Sequence, residues 1–68
     1  MEKVKITTEY IKLDQFIKLV GAADTGADAK NDIISGMVKV NGEKETRRGK
    51  KLRPGDRVEA GGKLFQVE

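Results

Sequence analysis

The sequence predicts an α+β fold: two short packed helices laid against a small, mostly antiparallel sheet. Three observations carry that expectation. Apolar residues recur at helical spacing in two stretches, Leu13–Val20 and Ala29–Ile34, each followed by a glycine, Gly21 and Gly36. Alternation with a period of two marks Lys3–Thr7, Met37–Asn41 and the last dozen residues. Turn dipeptides, Asn41-Gly42, Pro54-Gly55 and Gly61-Gly62, punctuate the second half.

Taken in order, Lys3–Thr7 reads as a half-buried strand, with Val4 and Ile6 on one side and Lys3, Lys5 and Thr7 on the other. Residues 8–11 form a connection. From Lys12 the period changes: Leu13, Phe16, Ile17 and Val20 fall at i, i+3, i+4 and i+7, one stripe of a helix that Gly21 ends. A second helix starts at Thr25, whose hydroxyl can cap the early amides, with Asp28 three residues on as the acid of a capping box. Its buried side is read as Ala29, Ile33 and Ile34, and Gly36 ends it. Neither helix is long enough to persist alone, so the two should pack as a pair.

Val38 and Val40 then point one way, and Lys39 and Asn41 the other. Asn41-Gly42 predicts a type I′ hairpin turn, and Arg53-Pro54-Gly55-Asp56 a type II turn. The return strand from Glu43 dissolves into the basic run Arg47-Arg48-Gly49-Lys50-Lys51. A last hairpin joins Arg57–Ala60 to Lys63–Val67 through Gly61-Gly62, and the N- and C-terminal strands are expected to adjoin.

With 68 residues the chain supports a single domain, 1–68, and no cysteine or histidine is present to staple it through a disulfide or a Cys/His zinc site. The core must come from aliphatic side chains, because Tyr10, Phe16 and Phe65 are the only aromatics. No apolar run approaches the ~20 residues of a membrane span, and the N-terminal residues alternate in charge. A cytoplasmic monomer without membrane contact is the expectation.

The net charge of +3 is unevenly spread. Residues 1–34 hold five Lys/Arg against six acids, net −1; residues 35–57 hold eight against three, net +5; residues 58–68 hold one against two, net −1. An excess confined to one third of the chain is the footprint of a polyanion partner. Catalysis is not expected: the usual bases, nucleophiles and zinc ligands are missing, and no glycine spacing matches a phosphate-cradling loop. No cofactor and no metal are expected either.

Between Lys44 and Arg53 lie six basic residues and one acid, Glu45. Two arginines stand side by side, and guanidinium offers planar, bidentate donors to phosphate. A solvated loop kept polar for solubility is the alternative reading of the same residues. The helices look too short and too acidic on their exposed faces to enter a DNA major groove, whereas a basic loop beside a helix end suits the backbone and bulges of folded RNA. The scarcity of aromatics argues against a single-strand stacking platform, and Tyr10 reads as a core or edge residue.

The run Ile33-Ile34-Ser35-Gly36-Met37-Val38-Lys39-Val40-Asn41-Gly42, with Lys12-Leu13-Asp14 before it and Lys51-Leu52-Arg53-Pro54-Gly55-Asp56-Arg57-Val58 after it, resembles a known family. It is similar to the RNA-binding domain first seen in small-subunit ribosomal protein four, the αL motif, over roughly residues 11–60. The chain resembles the small stand-alone bacterial members. The resemblance implies binding of structured RNA, ribosomal RNA or a ribosome-associated RNA among the candidates. It also implies contacts from Lys12, Lys30, Lys39, Arg47, Arg48, Lys50 and Lys51.

For Lys12, Lys30 and Lys39 the competing reading is a solvated lysine, and Asn41, Pro54, Gly55 and Asp56 read as structural. Where many members open the second helix with Ser-Arg, this chain has Thr25-Gly26, between Asp24 and Asp28. That shifts the expected contact onto the loop. Two rivals stay open: an adaptor whose basic face meets an acidic protein, and a β-grasp carrier. The latter needs a terminal Gly-Gly, whereas Gly61-Gly62 is internal here.

Overall fold

Two helices lie on one face of a five-stranded sheet, and a separate two-stranded ribbon closes one end. The computed structural model describes all residues 1–68. Its elements are β1 (Glu2–Val4), β2 (Ile11–Lys12), α1 (Leu13–Leu19), α2 (Gly26–Ile34), β3 (Lys39–Val40), β4 (Glu43–Lys44), β5 (Lys51–Leu52), β6 (Arg57–Ala60) and β7 (Lys63–Val67). The main sheet has the order β1-β7-β6-β3-β4, and β2 pairs with β5. Every pairing is antiparallel except β1–β7, so the two terminal strands do adjoin.

Period-two patterning decides which face of the sheet meets the helices. Val58, Ala60, Phe65 and Val67 are buried while Arg57, Glu59 and Lys63 are exposed, and Val38 and Val40 are buried beside exposed Lys39. Against that face α1 places Leu13, Phe16 and Ile17, and α2 places Ala29 and Ile33. Ala23 and Leu52 complete a core of 13 residues, none of them polar. Phe16 of α1 meets Phe65 of β7 edge to face, centroids 6.0 Å apart at 81°. Such a pair adds about 0.5–1.5 kcal/mol beyond the area it buries.

The turns follow their residues. Asn41 and Gly42 take φ of 52° and 85°, the two positive values of a type I′ turn, and Gly55 takes 102°. Gly21 adopts a left-handed conformation one residue past α1, after the C-cap Val20.

Four expectations are corrected. Ile34 is exposed, because at ~100° per residue a helix whose Ala29 and Ile33 face the core turns residue 34 away. Only half of a capping box forms: the Asp28 amide donates to Thr25 Oγ1 at 3.1 Å, but aspartate is one methylene short of reaching back. The first strand is Glu2–Val4 rather than Lys3–Thr7, since its partner β7 ends at Val67; beyond it the pairing continues through Glu68, whose amide donates to Val4 O and whose carbonyl accepts from the Ile6 amide, both at 2.8 Å. Residues 8–11 are not all connection, as Ile11 opens β2 and pairs with Leu52.

Candidate nucleic-acid interface

The basic loop is fixed to the body of the protein by its backbone. Lys12, the residue before α1, has extended angles (φ −73°, ψ 146°) and offers no side-chain cap. The first amides of the helix are satisfied from the loop instead: Leu13 N donates to Lys50 O at 2.9 Å and Asp14 N to Arg48 O at 3.1 Å. One residue earlier, Lys12 stands directly opposite Lys51 in the β2–β5 ladder. Leu52, next along β5, points the other way into the core, so both lysines project outward. Two like charges facing each other across a ladder are destabilising, an arrangement suited to a site that meets an anion.

Within the loop, Arg47 and Glu45 form a two-point contact. Arg47 Nε donates to Glu45 Oε2 at 3.0 Å, and Nη2 donates to Oε1 at 3.1 Å. The Arg47 amide donates to the same carboxylate at 3.1 Å. The Arg47 side-chain hydrogen bond is the main reason the Glu45 carboxyl lies below its ordinary value; partial burial opposes the shift, and the Arg47 amide and the charges of Arg47 and Lys50 assist it. The Glu45 carboxylate in turn raises the Arg47 guanidinium. Arg47 therefore has a set direction, while its remaining donors face solvent. Lys50 N closes the turn on Arg47 O at 3.2 Å.

Three concavities meet along this edge. The first, about 560 Å³, is lined by Arg47, Gly49, Lys50, Lys51 and Arg53: four cations and no carboxylate. Arg47 and Lys50 also line the next, with Lys44, Asn41, Glu43 and Glu45. Asn41 is shared in turn with a third on the outer face of the sheet, which holds Lys39, Arg57 and Glu59. The structure thus brings Lys12, Arg47, Arg48, Lys50 and Lys51 together around the end of α1. Lys39 joins at the far end of the band, where Glu59 sits 4.0 Å from its Nζ. Lys30 is exposed on α2 and lines none of the three.

Lys44 and Arg53 belong to the basic run but, like Arg57 and Tyr10, were not among the expected contacts. The signal that would have joined Arg53 to Tyr10 is the pairing of Ile11 with Leu52, two apolar residues far apart in the chain, one between Tyr10 and Lys12 and the other between Lys51 and Arg53. The second turn is held in place as well: Asn41 Nδ2 donates to Asp56 Oδ1 at 3.1 Å, Arg57 N donates to Asn41 Oδ1 at 2.9 Å, and Arg53 N donates to Asp56 Oδ2 at 2.8 Å. No group of His, Cys, Asp and Glu could hold a metal ion, and no helix is long and apolar enough to cross a membrane.

A small helix-on-sheet module with one cationic edge, its loop capping a helix, is built to take a polyanion rather than a small molecule. Comparison with known proteins gives the family. The S4 domain model matches residues 4–68, and the chain belongs to the S4 domain family. A Bacillus subtilis (strain 168) protein named for ribosome maturation, RlbA, is 45% identical over 65 residues, covering 94% of this chain and 92% of that protein. An Escherichia coli (strain K12) protein named for RNA binding, YbcJ, is 40% identical over 58 residues, covering 85% of this chain and 83% of that one. The solution structure of E. coli YbcJ, described as revealing an αL motif involved in RNA binding, superposes with a TM-score of 0.73 at 35% identity, covering 98% of this chain and 86% of that one. The fold is therefore the α+β arrangement of the αL motif.

Proposed function

We propose that this chain binds structured RNA, ribosomal RNA being the class to test first, and that it acts by binding without catalysis. One observation carries the reading: four cations and no acid line a single concavity whose backbone is hydrogen-bonded to the start of α1. Phosphate groups entering it would meet a preformed site, so little ordering is needed on binding. Membership of the S4 domain family supports the reading, as do the names of the two relatives, one for RNA binding and one for ribosome maturation. The proposed contacts are Lys12, Arg47, Arg48, Lys50 and Lys51 at the centre and Lys39 at one end. Lys30 is an outlying contact, reached by an RNA long enough to cross α2.

Fluorescence anisotropy with a labelled RNA hairpin, repeated over a range of salt, tests the binding. Affinity is expected to fall with a log–log slope of roughly −3 if about four phosphates are neutralised. Co-sedimentation with ribosomal subunits tests the target class. Co-sedimentation that is abolished by ribonuclease supports RNA; co-sedimentation that survives it, without salt-sensitive hairpin binding, would replace RNA with an acidic protein partner.

A further inference from the structure

Continuing the β2–β5 register by one position sets Tyr10 across from Arg53, next to Lys12 across from Lys51. Side chains at these four positions leave the same face of the ribbon, opposite to Leu52 in the core. The side-chain geometry agrees: Lys51 Nζ lies 4.8 Å from the centroid of the Tyr10 ring, and the Arg53 guanidinium carbon lies 5.7 Å from it. Tyr10 is half-buried, with its carbonyl fixed by a 2.8 Å hydrogen bond from Thr8 Oγ1. Asp56 accepts from the backbone amide of Arg53, and the chain's three ion pairs all lie elsewhere, so the cations of this face have no carboxylate partner.

We infer that this ribbon face is a seat for one unpaired nucleotide. The inference rests on the RNA-binding reading above and adds a requirement for a base outside the duplex. An aromatic ring and a guanidinium plane are the two side-chain surfaces on which splayed bases stack. Here the guanidinium lies over the ring, at the rim of the cationic concavity that Lys51 and Arg53 line, and swings out to admit a base between them. The base of a bulged residue stacks on Tyr10 and Arg53, and its phosphate lies between Lys12 and Lys51, relieving the repulsion of the facing lysines. A fully paired helix cannot use the ring, because its bases are already stacked. Tyr10 thus has a binding role where the sequence pointed only to packing.

The chain holds one tyrosine and no tryptophan, so its intrinsic fluorescence reports Tyr10 alone. The experiment titrates the intact protein with two synthetic RNA hairpins that differ only by a single unpaired adenosine in the stem. The expected result is tyrosine quenching by the bulged hairpin, little by the paired one, and about tenfold tighter binding of the bulged RNA. Tyr10→Phe should keep that preference. Tyr10→Leu should lose it, binding the two hairpins alike. Equal binding of both hairpins with equal fluorescence would overturn the seat and leave RNA binding standing. Failure to bind either hairpin would overturn both. Should Tyr10→Leu fold poorly by circular dichroism, the quenching comparison on the unmodified chain decides.

Discussion

Asn41 and Asp56, one in each of two separate turns, are joined side chain to side chain, with Asn41 Nδ2 donating to Asp56 Oδ1 at 3.1 Å. The same two residues hold the amides of Arg57 and Arg53. Together they fix the spacing between the β3–β4 hairpin and the strand leading out of the basic loop. Asp56→Ala removes two acceptors at once and is expected to lower stability by about 1–2 kcal/mol. A urea titration should show an earlier midpoint with an unchanged slope.

Replacing Arg47, Arg48, Lys50 and Lys51 together by alanine is expected to flatten the salt dependence of RNA binding by several units of slope, at roughly 0.7–0.9 for each phosphate no longer neutralised. The far-UV circular dichroism should not change, because the loop's structural bonds to α1 are made by backbone carbonyls. An unaltered slope would remove the loop from the interface.

Glu45→Gln should strengthen RNA binding by about two- to fivefold, since the Arg47 guanidinium would no longer be held by a carboxylate that RNA has to displace. The pH dependence has a definite sign. The Glu45 carboxyl is depressed in the folded chain, chiefly by the Arg47 hydrogen bond, so the stabilisation from this pair is present above the ordinary glutamate range and is lost as pH falls through the folded value. An NMR titration of the Glu45 side-chain carboxyl should find its midpoint below the ordinary glutamate range, and Arg47→Ala should move it up.

Lys12→Ala is expected to cost more RNA affinity than Lys30→Ala, because Lys12 faces Lys51 beside the loop whereas Lys30 projects from α2 outside the three concavities. Anisotropy titrations of the two variants at one salt concentration make the comparison, and equal losses would place the RNA across α2 as well.

Phe65→Ala removes one face of the aromatic pair with Phe16 from a core of only 13 residues. A loss of about 3–5 kcal/mol is expected, comparable to the whole stability of a domain this small. The variant should be unfolded by circular dichroism at room temperature.

Much of this was readable in the residues. Val38 and Val40 alternate with Lys39, Asn41-Gly42 demands its turn, and Gly21 stops its helix, because each pattern acts over a few residues and needs no distant partner. The reading failed where the deciding contact was remote. Ile34 looked buried because apolarity does not say where a helix's stripe is centred. β2 and β5 are two residues each and form only because Ile11 and Leu52 find one another across the chain. The same holds for the site: the charge run pointed to the loop and included Arg53, but only that ladder sets Arg53 beside Tyr10.

The carbonyls of Arg48 and Lys50 cap the first amides of α1, and this ties recognition to cooperativity. A fluctuation that lifts the loop strips the helix of its starting hydrogen bonds, so loop and helix open as one foldon rather than the loop fraying alone. RNA that clamps the loop would then slow hydrogen exchange at Leu13 and Asp14, amides it never touches.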